Sequence, residues 1–188
     1  MDLPYGSEQK KQFVTNVGLI TTHGTKGDDI MASEWTHMLS CSPGIISVSI
    51  GNGKTSGKNI KKTKEFGVSL AAQDQNVLSS IAGGSHGQEV DKIAALKELG
   101  FKFFKGNKTK CLLVEGAAMN AECKLIKAIN LGTHITYIGE VVAIHPVSGK
   151  EPLIYKGGSY WKFGEQMHRP PEEEMNRINS VVEKYKRK

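Results

Sequence analysis

The sequence predicts a mainly β fold, a Greek-key barrel with helices inserted near its middle and one further helix at its C-terminal end. Three observations carry this prediction. Short β-branched and apolar runs recur between clusters of Gly, Asn, Ser and Pro; two helical patterns sit together mid-chain; and after Pro170-Pro171 the apolar period becomes helical. A βαβ sheet would instead alternate helix with strand throughout.

The elements follow in order. Phe13 to Thr22 is mostly β-branched or apolar and reads as a strand, with His23 to Asp29 as its hairpin loop. A second extended segment begins near Ile30, and Ser42-Pro43-Gly44 breaks it before a third, Ile45 to Ile50, which ends in the turn Gly51-Asn52-Gly53. Thr55 to Lys64 is polar and Lys-rich, a helix with Ser56 as its N-cap, and Phe66 to Ala71 is the next strand. Asp74 caps a helix running through Ile81, and Val90, Ile93, Leu96 and Leu99 mark another that stops at Gly100; Gly83 to Gly87 is the loop between them.

Beyond Leu112 and Leu113, Met119, Ala121, Cys123 and Leu125 alternate with Asn120, Glu122 and Lys124, as a half-exposed antiparallel strand requires. Thr133 to His145 is a long β-branched segment. Leu153 to Tyr155 and Tyr160 to Phe163 form a closing hairpin around Lys156-Gly157-Gly158-Ser159. In the tail, Met175, Ile178, Val182 and Tyr185 form an apolar stripe, with Glu172 to Glu174 at the helix start and Lys and Arg at its end, as the helix dipole favours. The expected organisation is one barrel domain, 1–169, and a C-terminal amphipathic helix, 170–188, packed on the barrel or on a second subunit.

Composition narrows the class. The 188 residues suit a single domain, and no apolar run approaches the roughly 20 residues of a membrane span. MDLPYGSEQKKQF lacks the basic segment and continuous apolar run of a secretory signal, so a cytoplasmic location without membrane association is expected. Cys41, Cys111 and Cys123 are an odd set without CxxC spacing; this argues against a disulfide framework and a zinc knuckle, and suggests small core residues. His37 and Cys41 make no metal pair on a strand, and no metal site is expected. The net charge of +6 lies in short runs: Lys58, Lys61, Lys62 and Lys64; Lys102, Lys105, Lys108 and Lys110; Lys184, Lys186, Arg187 and Lys188. Such runs are usually solvated faces, and one of them can attract a phosphorylated ligand. Nucleic acid is not the expected partner, because no strand interleaves aromatic with basic residues.

Three segments are rich in backbone donors and hydroxyls: Met31 to Ser40, Gly51 to Asn59 and Gly83 to Gly87. In the second, Gly51-Asn52-Gly53-Lys54-Thr55-Ser56 brings N–H groups, two hydroxyls and an ammonium to a helix start, the chemistry that holds phosphate. The spacing is neither GxGxxG nor a P-loop, and Gly-Asn-Gly is also an ordinary turn.

Met31-Ala32-Ser33-Glu34-Trp35-Thr36-His37-Met38-Leu39-Ser40-Cys41-Ser42-Pro43 resembles the segment N-x-M-T-x-S/A-W-x-x-x-L/V-S-x-x-P-P of the flavin reductase-like family. Val48-Ser49-Ile50-Gly51 and Lys54-x-Ser56-x-x-Asn59-Ile60 resemble its V-S-I/V and phosphate segments. Glu89-Val90-Asp91-Lys92 is similar to D-V-D-K-F/L, Gly132 to Val141 to G-D-H-x-x-x-I/V-G-E-V, and Pro152 to Tyr160 to P-L-L/I-Y-x-G-G-x-Y. The order is preserved over nearly the whole chain.

This resemblance implies a split β-barrel that binds FMN, commonly as a homodimer with the flavin near the subunit interface. Carried over by position, Met31, Ala32, Ser33, Glu34, Trp35 and Thr36 lie along the isoalloxazine, with Ser49 and Gly51 beside them. Lys54, Ser56 and Asn59 hold the phosphate, and His134 is the polar group at the reacting face. Apart from the motifs, the place of His86 in a glycine-rich loop would let it reach phosphate or nicotinamide. Departures are Ala32 for a common Thr, Lys54 for Arg, Asp29 for Asn and Gly44 for the second Pro; Lys54 keeps the charge and loses the bidentate fork.

Simpler roles compete: Trp35 as a core aromatic, His86 as an exposed loop histidine, His134 as a hydrogen-bonded strand histidine. Glu140 is best explained by a cross-strand salt bridge. The implied activity is hydride transfer from NAD(P)H to FMN and onward to flavin, ferric iron or another acceptor. The alternative is a flavoredoxin-like FMN carrier that exchanges electrons with a redox protein partner. The open face of the flavin is expected between Gly83–Gly87, His134 and the C-terminal helix of one subunit.

Overall fold

A computed structural model describes residues 2–186; Arg187 and Lys188 of the last basic run lie outside the described residues. After a 3-10 turn, Lys10–Gln12, come β1 (Val14–Asn16), β2 (Gly18–Gly24), β3 (Gly27–Ser33), β4 (Thr36–Cys41) and β5 (Gly44–Gly51). Helix α1 (Thr55–Thr63) leads to β6 (Glu65–Leu70), and α2 (Asn76–Gly84) and α3 (Lys92–Glu98) precede β7 (Phe103–Lys105) and β8 (Leu112–Val114). The chain continues through β9 (Met119–Leu131), β10 (His134–Ile144), β11 (Ile154–Lys156) and β12 (Ser159–Trp161) to α4 (Glu172–Lys184).

The main sheet is antiparallel, in the order β3-β2-β6-β9-β10-β5-β4, with smaller sheets β1-β11-β12 and β7-β8. The edge strand β3 meets β5 where the Ser33 hydroxyl donates to the Ser49 carbonyl (3.1 Å), while Ser49 N–H donates to the carbonyl of Trp35 in the link ahead of β4 (2.9 Å). The mainly β split barrel thus has the inserted helices that the sequence predicts.

Both faces of the central strands are buried, and neighbouring side chains serve different cores. On β2, Leu19 packs with Leu78, Ile93 and Leu96 beneath α2 and α3, while Ile20 joins Val48, Ile60, Phe66 and Tyr137 inside the barrel. Full burial of such side chains contributes about 1.5–3 kcal/mol each. Gly139 is required by packing: any Cβ there would collide with the Phe66 ring.

Several sequence expectations are corrected. Phe13 to Thr22 is two strands, since the chain changes sheets between Asn16 and Gly18, and the first hairpin turn shrinks to Thr25-Lys26 because both strands pair as far as Gly24 and Gly27. The N-cap position of α1 is Lys54, and the Ser56 hydroxyl points to Asp29 instead. Gln75, not Asp74, precedes α2, and Asp74 pairs with Lys150 at 2.5 Å. Gly83 and Gly84 belong to the end of α2. Strand β7 had no sequence signal.

The alternating face of β9 is not half-exposed at its start. Asn120 and Glu122 are buried beneath the Phe103–Val114 segment, where Glu122 accepts from the N–H groups of Asn107, Lys108 and Thr109, the Thr109 hydroxyl and His145. Burial alone would push its carboxyl up; these donors overcome that and hold it down at about 2. Glu140 stands opposite Lys124 in register, yet makes no ion pair among the described residues. Cys111 and Cys123 are buried and pushed up to about 12, whereas Cys41 is exposed rather than core.

No side chain of α4 is buried, and its stripe of Met175, Ile178, Val182 and Tyr185 stays open on this chain. No helix of the described residues is long and apolar enough to cross a membrane.

Candidate functional site

Two adjoining cavities open on one side of the barrel. The larger, about 510 Å³, has as one wall the end of β3 and the link after it, Met31 to Trp35. Here β3 leaves its ladder at Ser33 and the backbone bends through Glu34 and Trp35 before Thr36 begins β4. Ser49 and Gly51 of β5, Lys54 and His134 add a second wall. The end of α2, through Ser79, Ser80, Gly83 and Gly84, and the β11–β12 hairpin, through Tyr155, Gly158 and Tyr160, complete it.

The smaller cavity, about 80 Å³, shares Met31, Ala32, Lys54 and Gly83 with the first and continues past Thr55 and Ser56 to Ser85, His86 and Gly87. Lys54 therefore stands between the two. Its ammonium makes no ion pair among the described residues. At the back of the smaller space Asp29 and Lys92 form a buried pair.

The polar groups of the larger cavity are held by neighbours. Ser33 donates to the Ser49 carbonyl, the hydroxyls of Ser49 and Thr136 lie 2.7 Å apart, and Thr133 Oγ1 is 2.8 Å from His134 Nδ1. The rings of Trp35 and His134 are 4.4 Å apart at 51°. Burial pushes the His134 imidazole down from its ordinary value, against the opposing pull of the Glu34 carboxylate, and so favours the neutral ring. A neutral ring offers one donor and one acceptor nitrogen.

Of the residues expected at the site, Met31, Ala32, Ser33, Glu34, Trp35, Ser49, Gly51, Lys54 and His134 line the larger cavity, and Ser56 and His86 the smaller. Two lie elsewhere. Thr36 is buried against Gly18 and donates to the Ser33 carbonyl, because it is the first β4 residue to turn inward. Asn59 lies one helical turn beyond the cavity; its amide donates to Thr22 Oγ1 and packs on Gly24. Helix α4 contributes nothing to either wall.

Sequence reasoning missed Tyr5 and Lys10. Lys10 Nζ lies 2.7 and 2.8 Å from the two Glu34 oxygens, and the Tyr5 hydroxyl donates to Glu34 Oε1 at 3.1 Å. This fastens the N-terminal segment to Glu34 in the wall of the larger cavity, which Tyr5 also lines. Nothing in the segment's composition marks it, whereas Tyr155 and Tyr160 belong to the Pro152–Tyr160 motif and Lys92 to Glu89–Lys92.

The chain matches the family model described as "Flavin reductase like domain" over residues 10–164. It is 29% identical to an uncharacterized protein of Pyrococcus abyssi over 150 residues, 80% of this chain and 82% of the other. It is 26% identical to an NADH-dependent flavin reductase of Rhodococcus sp over 154 residues, 79% of this chain and 80% of the other. Among solved structures, an FMN-binding protein from Thermus thermophilus with bound 1-cyclohex-2-enone aligns with a TM-score of 0.79 at 23% identity, covering 90% of this chain and 97% of that one. The flavoredoxin of Desulfovibrio vulgaris (Miyazaki F) aligns at 0.74 and 23%, with the same coverage. The chain belongs to the flavin reductase-like family.

Proposed function

We propose that this chain is an FMN-dependent oxidoreductase that takes a hydride from NAD(P)H and passes electrons to free flavin, ferric iron or another acceptor. The supporting observation is the convergence of Met31 to Trp35, Ser49, Gly51, Lys54 and His134, distant in sequence, on a single cavity of about 510 Å³.

The donor set fits a flavin nucleotide. A wide space walled by Trp35, Tyr155 and Tyr160 suits a planar ring, and Lys54 at its junction with a small polar space suits a phosphate. When bound, the flavin supplies the two-electron chemistry. The chain's own residues position and exclude. Met31 to Trp35 and Ser49 orient the ring, Lys54 and the backbone N–H of Ser56 in the first turn of α1 hold the phosphate, and the aromatic walls keep water from the reacting face. His134, held by Thr133 and biased by burial towards its neutral form, offers a hydrogen bond at that face. The NADH dependence of the Rhodococcus relative supports NADH as the donor to try first.

The open stripe of α4 supports packing of this helix on a second copy in a homodimer. Replacing Ile178 by Glu should then convert a dimer to a monomer in light scattering.

The activity is tested by mixing FMN-reconstituted protein anaerobically with NADH or NADPH and following flavin bleaching. Rapid, saturable bleaching is expected. If neither nucleotide bleaches a flavin that dithionite still reduces, the chain is a flavoredoxin-like carrier serving a redox partner.

A further inference from the structure

The smaller cavity carries two opposed charges where only cations would favour an anion. Lys92, 3% exposed, reaches from α3 to place Nζ 3.1 Å from Asp29 Oδ1 and 3.5 Å from the Ala82 carbonyl. The other Asp29 oxygen accepts the Ser56 hydroxyl at 2.6 Å. Gly87 closes over the carboxylate so tightly that any Cβ there would strike it. Asp29 itself is 6% exposed. The carboxylate therefore engages two of the groups best able to hold a phosphate beside Lys54. Across Asp29, Lys54 and Lys92 the formal sum is one positive charge instead of two.

We propose that Asp29 is a specificity-determining residue: a built-in anion at the phosphate end of the flavin site that makes the protein bind flavins mainly through the ring. The inference rests on the flavin reading above and deepens it. A protein of this design accepts riboflavin and FMN with similar affinity. The physical basis is Coulombic. A unit charge a few ångströms from a phosphate, at the effective dielectric of a protein, changes the attraction by more than about tenfold.

The test is titration of the full chain with FMN and with riboflavin at fixed ionic strength, read by quenching of flavin fluorescence. The unaltered protein should bind FMN no more than about tenfold more tightly than riboflavin, and Asp29→Asn should tighten FMN about tenfold or more while riboflavin stays within about twofold. Lys92→Met, which leaves the carboxylate unopposed, should weaken FMN and spare riboflavin; thermal melts establish that each variant is folded. Should either variant fail to fold, the ratio for the unaltered protein still decides. A preference for FMN of about a hundredfold or more, or variants that move both flavins equally or neither, would overturn the proposal and leave the flavin reading intact. Failure of the unaltered chain to bind either flavin would remove both.

Discussion

Lys10 and Glu34 form a two-pronged ion pair, 2.7 and 2.8 Å from Nζ to the two carboxylate oxygens, with side chains only 12% and 16% exposed. It joins the N-terminal segment to the strand link that walls the larger cavity, and Lys10 also lies 4.6 Å from the Tyr5 ring centre. Lys10→Met leaves Glu34 without its cation, and a loss of about 1–3 kcal/mol is expected. Limited proteolysis should show faster cleavage ahead of β1 in the variant and an unchanged barrel fragment.

Glu122 is wholly buried and its carboxyl is held at about 2 instead of its ordinary 4.5. Because the folded state binds this proton more weakly than the unfolded chain, its stabilisation is complete above about pH 4.5 and lost as the pH falls towards 2. Glu122→Gln puts an amide against three N–H donors and should cost about 2–4 kcal/mol near neutral pH. Urea melts of both proteins should converge as the pH is lowered through that window.

At Gly139 the barrel wall touches the Phe66 ring, and the register of β9 and β10 shifts beside it between Ile138 and Gly139. Gly139→Ala must displace a fully buried ring and should destabilise by about 1–3 kcal/mol. Thermal melting followed by circular dichroism checks this, and an unchanged Tm would mean that the ring moves freely.

Trp35 and His134 report on one another. Imidazolium quenches a neighbouring indole, so Trp35 fluorescence should fall on acidification with a midpoint below 6.5, because burial disfavours the charged ring. Glu34→Gln removes the carboxylate that pulls the other way, and the midpoint should drop further. His134→Asn should abolish the transition, and Trp35→Phe should remove the responding emission while Trp161 still emits.

Strand order and site composition were unequally legible in the sequence. The turns at Gly51-Asn52-Gly53 and Lys156-Gly157-Gly158-Ser159, the extended run of β9 and the helical period after Pro171 are local properties of the backbone, and they appear close to where the residues place them. Asn59 could not be read this way. It stands in a phosphate-like segment, but helix α1 turns it from the cavity towards Thr22. Strand β7 is too short to carry a period, and it forms because β8 pairs with it.

Alternating apolar and polar residues, turn dipeptides and ordered motifs determined a barrel of short strands, its inserted helices and its family, because each depends on conformations a few residues can adopt alone. Tertiary structure alone decided that Glu122 faces a donor-lined interior instead of water, that Lys92 meets Asp29, and that Tyr5 and Lys10 reach Glu34. In each case the partner lies far along the chain. A polar side chain on a strand points to one face by geometry, but what covers that face is fixed only when distant segments pack.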